Sequence, residues 1–481
     1  MTGPLRTMAP ALLALVAGCG PTCEAGFLEG SDGNCYPYDA PPDDTAVDDT
    51  APIGPIDLDW GDPITTLGSE RISMAVEWMD AVILEGGALG VVVGQGGFAV
   101  ISMDDASVLY QEEAERGYRV DLDGDVAWIA TRQHGVFQLD LSDPEAPRRG
   151  PRFEVGAGYH EDISADDGRV LIGGQESGAL FYDDTGRRLG QIPADYAFGV
   201  ALDGDRALIA DGAVLELWDV SDLADPQPLA QAPLPATGRD ISWSGGRAAV
   251  ALGGAGAIAF EVDDDALTEI GTFALPGSVF SVALDRELLW IGAWEVVGLA
   301  WLGEGGPVML GHERPHQSAM GLTARGGKAL VADWQNHTVM EAQVGLAGPE
   351  LHLADRIWFS EGGGERQQVT LTNWGAFDLS LHFQDAPGFA LSEVDFTIAP
   401  GDSAVLQIEA LEGTDGVLAF TSDDPDEEEG QARLEFARST LGQVHPDFEL
   451  PGFVHPDTQT RPYRLSENRG RVTFLAYWTT W

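Results

Sequence analysis

The chain has 481 residues and carries 78 acidic against 26 basic side chains, a formal net charge of −52. Phosphate backbones are held by basic surfaces, so this balance excludes nucleic acid as a partner and speaks for solubility rather than for any fold. A hydrophobic fraction of 44% excludes a disordered polymer, the length allows about three domains, and 61 glycines with few helical patterns point to a turn-rich β protein.

The first element in chain order is an apolar run, Met8 to Val16, too short to cross a bilayer. It ends in Val16-Ala17-Gly18-Cys19, which resembles the lipobox of bacterial lipoproteins. The resemblance implies a signal peptide over 1–18, lipidation of Cys19, and a mature chain anchored by lipid to a membrane of the cell envelope. Gly20, in place of an aspartate, implies the outer membrane, on its periplasmic or surface face. The other two cysteines, Cys23 and Cys35, are expected to form one disulfide in an exported, oxidising setting. Residues 36–59 are rich in Asp, Pro and Ala and read as an extended tether, so 19–59 form a Cys loop followed by that tether.

Between 60 and 350 one phrase recurs: strand, acidic Gly turn, strand. It reads ILEGGALGVVVG at 83–94, VDLDGDVAWIAT at 120–131, DISADDGRVLIG at 162–173 and GVALDGDRALIA at 199–210. It returns as DISWSGGRAAVA at 240–251, SVALDRELLWIG at 281–292 and GLTARGGKALVA at 321–332. The closing small residues are 36, 43, 37, 41, 41 and 40 residues apart. A β-patterned period near 40 predicts propeller blades, and seven copies predict a seven-bladed β-propeller. The phrases GVALDGDRALIADG and VFQLDLSDPEAP resemble the LVIVD-repeat family of bacterial propellers, which implies an extracytoplasmic propeller without an assigned reaction.

Several side chains in the repeats invite a site. Asp121, Asp123 and Asp125 have a spacing that could ligate Ca²⁺, but Asp-Gly also makes a hairpin turn, and the turn is the expected role. His134, His160 and His337 lie near strand ends, where one propeller face could gather them. His312 and His316 are four apart, but Pro315 interrupts any helix that would align them. Trp128, Trp218, Trp290 and Trp334 are expected to pack between blades. No metal ligand set and no cofactor is expected.

Alternating runs over 351–440 predict a β-sandwich. Asn373-Trp374-Gly375, Pro400-Gly401 and Ser422-Asp423-Asp424-Pro425 resemble, in that order, the turns of Hydin-type immunoglobulin-like domains. The acidic run from Asp424 to Glu429 reads as a solvated loop. Residues 441–481 include Pro446-Asp447-Phe448-x-Leu450-Pro451, Tyr463-x-Leu465-Ser466, Arg469-Gly470-Arg471 and Phe474-Leu475-Ala476-Tyr477-Trp478-Thr479-Thr480-Trp481. This resembles the opening of the thioredoxin-like redoxin family, whose next residue is the nucleophilic Cys of C-x-x-C. A fragment, a truncated gene or a UGA selenocysteine codon after Trp481 would each account for the break.

The fold expected is therefore all-β, a propeller followed by an immunoglobulin-like sandwich, with a truncated thioredoxin-like (α/β) stub. No catalytic residue is expected within the chain. The expected function is that of an envelope lipoprotein whose β modules bind a protein or thiol-disulfide partner. The alternatives are an envelope-tethered thiol-disulfide oxidoreductase or peroxidase and, more weakly, a propeller hydrolase or lyase.

Overall fold

A computed structural model describes residues 58–71, 77–114, 116–155, 159–315, 318–359 and 364–436, with the backbone of four short strands at 27–29, 35–37, 449–454 and 460–464. Cys19, Cys23 and the Cys35 side chain lie outside the described residues, and so does nearly all of the redoxin-like segment. The strands Phe27–Glu29 and Cys35–Pro37 pair antiparallel, as do Glu449–Val454 and Thr460–Arg464. Every regular element among the described residues is a β-strand, and none of them forms a helix long and apolar enough to cross a membrane.

From Ile64 to Ala342 the chain builds four-stranded antiparallel sheets, one repeat to a sheet. Their first strands are Trp78–Ile83, Arg119–Asp123, Asp162–Asp166, Ala197–Asp203, Asp240–Ser244, Val279–Asp285 and Ala319–Arg325. Each first strand lies against the next, and Ala319–Arg325 lies against Trp78–Ile83, so the sheets close a ring. This is the architecture of a β-propeller. Closure is made twice. Ile64–Arg71 supplies the outer strand of the last sheet by pairing with Asn336–Ala342, and Asp59–Trp60 runs parallel to Leu346–Ala347.

The sequence pattern follows from the stacking. A sheet covered on both faces buries continuous apolar runs, whereas a strand with one wet face alternates. The inner strands Trp78–Ile83 and Leu288–Ala293 are buried throughout, while the outermost strand Val108–Glu113 alternates between half-buried and exposed. Apolar clusters between adjacent sheets, such as that around Trp290, Trp301 and Met340, form the core. Trp128 and Trp290 are buried packing residues, as expected; Trp218 and Trp334 are half-buried and also pack against clusters shared by neighbouring sheets, Trp218 bonding Glu216 as well.

The first strands are also stitched sideways by acids and hydroxyls. A backbone N–H at the edge of a first strand has no partner within its own sheet, and an unpaired buried donor is costly. Asp80 Oδ2 accepts from Val120 N at 3.0 Å, Asp162 Oδ2 from Val200 N at 2.9 Å, and Asp240 Oδ2 from Val282 N at 2.8 Å. Ser164 and Ser242 receive Leu202 N and Leu284 N in the same way. Asp121 and Asp123 belong to this series, bonding Ala165 N and Gly168 N of the next sheet. The turn itself rests on Gly124, at φ 57°. The hairpin turn expected at Asp123-Gly124 is present, and the oxygens of Asp121 and Asp123 have a further role in reaching across to the neighbouring sheet.

We expect Asp162→Ala to lower unfolding stability by about 1–3 kcal/mol through the orphaned Val200 and Ile163 amides, and Asp162→Asn to retain most of it. Urea titration of both variants checks this; equal losses would remove the acceptor role.

Residues 351–436 form a second body of two facing sheets around one apolar cluster that includes Phe359, Phe383, Leu406 and Leu434. Its first turn is fastened to the segment leaving the ring. Asn373 Oδ1 accepts from Glu350 N and Gly375 N, each at 3.0 Å, and its Nδ2 donates to the carbonyls of Phe377 and Ile398. A Cβ at Gly375 would stand 2.1 Å from Gly348 O, so only glycine fits there.

Candidate functional site

Two groups of titratable side chains and one belt of aromatic side chains stand out. The first group surrounds the axis. Arg119 is buried amid Asp80, Asp162 and Asp240, with its Nη1 3.9 Å from Asp80 Oδ1. Burial opposes the charge on Arg119, and the carboxylates of Asp80 and Asp240 more than offset it. Burial likewise pushes the Asp80 carboxyl up to about 7 and Asp121 up to about 6, and raises Asp162 and Asp240. A cavity of ≈ 220 Å³ lies among them. Their oxygens are engaged in the bonds between sheets, so their role is to hold the ring.

The second group lies where the ring meets the sandwich. Glu350, Asp424 and Asp426 bring carboxylate oxygens within 4.8 Å of one another, a set that could hold a metal ion. The buried members, Glu350 and Asp424, already have oxygens engaged within the fold. Glu350 Oε2 accepts from His312 N at 3.0 Å, His312 Nδ1 lies 3.2 Å from Glu350 Oε1, and Asp424 Oδ2 accepts from Leu351 N at 2.7 Å. Burial raises Glu350 well above its ordinary range and, with Asp426 beside it, takes Asp424 to about 9. Burial lowers His312 to about 3, so this imidazole is neutral. The reading of Asp424 as part of a solvated loop is corrected: its side chain is 1% exposed and caps a strand of the sandwich.

The belt occupies the end of the ring where the first strands begin. Tyr196 touches Phe198 (centroids 6.2 Å apart), and Phe280 touches Trp294 (5.7 Å), which touches Trp334 (6.0 Å). The Arg239 guanidinium lies between Phe198 and Phe280, at 5.9 and 5.8 Å from their centroids. Trp294 and Trp334 pack on buried Met79, Tyr118 and Met320. Arg132 then covers Tyr118 at 4.7 Å and Tyr159 at 5.3 Å. Every sheet contributes to this belt. Beneath Arg132, Glu161 Oε1 lies 3.5 Å from its guanidinium and accepts from Gln175 Nε2 at 2.6 Å.

The backbone explains how these side chains reach the mouth. The second strand of a sheet ends in a small residue, and the turn two residues on takes the left-handed conformation in six sheets. Gly96, Gly212 and Gly253 hold that position in three of them, and Arg132 (φ 64°), Gln175 (φ 51°) and Trp334 (φ 49°) in the others. A side chain in this region costs about 1 kcal/mol or more relative to glycine, and such strain gathers at functional sites. All three residues that bear the strain are members of the belt or of the Glu161 cluster beneath it.

Of the histidines, His134 is exposed beside Arg132 and His160 is buried next to Glu161. His337 is buried apart from them, its Nε2 2.7 Å from Ala106 O, so the three do not form one site. Sequence reasoning missed Arg239, Phe198 and Phe280 altogether, and gave Trp334 its packing between sheets but not its place in the belt.

The closed ring of four-stranded sheets places the protein among the β-propellers. No family model matches the chain, and no curated protein matches it. Among solved structures the chain is similar to U3-55K, at 9% identity over 58% of this chain and 98% of that one, with a TM-score of 0.48. It is similar also to the WD40 repeats of RRP9, at 10% identity over 60% of this chain and 100% of that one, with a TM-score of 0.49.

Proposed function

We propose that the protein is a lipoprotein of the cell envelope that binds a partner protein at the mouth of a seven-bladed, LVIVD-like propeller. In this reading the signal peptide spans 1–18, Cys19 carries the lipid, Cys23 and Cys35 form a disulfide, and the rest of 19–59 is a tether. The propeller fills 60–350, and an immunoglobulin-like sandwich over 351–440 acts as a spacer. Residues 441–481 resemble the opening of a redoxin domain.

The observation that carries the binding role is the strained trio Arg132, Gln175 and Trp334, which brings side chains to the mouth at positions where three other turns use glycine. Aromatic rings and arginines are the side chains that dominate protein–protein hot spots. Two experiments test the reading. Radiolabelled palmitate should enter the protein in a bacterial host and be lost in Cys19→Ala; equal labelling would refute the anchor. A photo-cross-linking amino acid at exposed Gln133 should give a discrete adduct that Trp334→Ala abolishes, while the same group at exposed Glu269 on an outer strand should not. An adduct unaffected by Trp334→Ala would refute the binding face.

A further inference from the structure

Most arginines of the belt's floor are neutralised within the fold: Arg119 by the axial carboxylates and Arg132 by Glu161. Arg239 differs. It makes no ion pair and no side-chain hydrogen bond among the described residues, although the chain holds three acids for every base. It is half-buried, so its desolvation is only partly relieved by water. What holds it is geometry. Its planar head is flanked by Phe198 and Phe280, and its stem lies along the turn of its own sheet.

That turn is one of those that keep glycine. A Cβ on Gly253, at φ 60°, would stand 3.2 Å from Arg239 Nε and 3.5 Å from the Ser278 hydroxyl. The residue that would crowd the arginine is thus absent at the one turn where the arginine needs the room. A guanidinium fixed between two rings has given up its rotamer freedom in advance, and its fork of donors matches a carboxylate. Trp294, in contact with Phe280, supplies a flat apolar wall beside it.

We propose that Arg239 receives a carboxylate that adjoins an aromatic ring on a peptide segment of the partner, the ring lying against Trp294 and Trp334. This rests on the protein-binding reading above and specifies what that face recognises. The carboxylate can come from a chain terminus or from an acidic side chain; the chemistry at Arg239 is the same.

Three peptides separate the possibilities by titration of tryptophan fluorescence on the full chain: Ala-Ala-Ala-Phe with a free carboxylate, the same peptide as its amide, and acetyl-Ala-Asp-Phe-amide. Binding of a carboxylate peptide about tenfold tighter than the amide is expected, with the advantage lost in Arg239→Gln and restored in part by Arg239→Lys. Preference for the first peptide assigns a chain terminus, and preference for the third assigns an acidic side chain. Phe280→Leu should weaken the carboxylate peptides without changing the amide.

Equal affinities for acid and amide, or an advantage that survives Arg239→Gln, would overturn the proposal. If Trp334→Ala then weakened all three peptides alike, the mouth would still be a binding face without anion selectivity. Failure of every peptide to bind at millimolar concentration would overturn the proposal, while the cross-linking result would decide separately on the face itself.

Discussion

The melting temperature of this protein should fall by about 5 °C or more as the buffer is taken from about pH 5.5 to about pH 9. The groups responsible are carboxyls whose folded values lie above their ordinary range: Asp80 and Glu313 at about 7, Asp424 at about 9, and Glu350 well above its usual value. Burial is the largest cause in each. The unfolded chain releases these protons near pH 4, whereas the fold keeps them. Each group therefore contributes stability that is fully present below the unfolded value and is lost as pH rises through the folded one. The window runs from roughly pH 4 to 9, and its alkaline part belongs to Asp424 at the junction. Half-buried Asp183 is shifted the other way, by hydrogen bonds from Thr185 and Arg187, and acts only at lower pH. Differential scanning fluorimetry across the range checks the slope, and Asp424→Asn should flatten its upper part. A melting temperature constant or rising from acid to alkaline would contradict the assignment of these carboxyls as protonated and buried.

The substitution expected to cost most is Asn373→Ala. This side chain is fully buried and completes four hydrogen bonds, two accepted and two donated. Its loss leaves the amides of Glu350 and Gly375 and the carbonyls of Phe377 and Ile398 without a partner in a dry place. Each orphan costs about 1–3 kcal/mol before relaxation, so a total of about 3–5 kcal/mol is expected. Two of the four groups belong to the turn, one to the segment that leaves the ring, and one to Asp395–Ile398. The damage should therefore appear first as early unfolding of the sandwich, seen by Trp358 and Trp374 fluorescence in a denaturant titration. A loss under about 1 kcal/mol would mean that water replaces the amide.

Much of the ring is legible in the sequence, because each repeat must make the same inner hairpin. Asp-Gly turns and buried runs such as Ala207–Ala210 or Ala329–Ala332 follow from two covered faces and a tight connection. The sandwich turn at Asn373 is legible for a related reason: an Asn two residues before a glycine can bond around a sharp bend. The belt is not legible. Its members sit at turn positions that vary from sheet to sheet, and period alone makes Trp334 look like Trp290. Only the backbone shows that Trp334 occupies a left-handed site that elsewhere holds Gly96, Gly212 or Gly253. The clasps between sheets were hidden similarly, since Asp121 and Asp123 look like turn formers until the next sheet, some forty residues on, is placed beside them.

The outer strand Ile64–Arg71 precedes every other strand of the four-stranded sheets, yet its partner is Asn336–Ala342, at the far end of the same body. Contacts so distant in sequence form late, because the intervening chain must be ordered before its ends can meet. A ribosome or export channel delivers the chain from its N-terminus. The strand thus waits, its amides unpaired, while the whole ring is made. During that interval Ile64–Arg71 is a free edge, open to the last sheet of a neighbouring copy as well as to its own. Synthesis rate and local concentration then decide between a closed monomer and a strand-exchanged chain of rings.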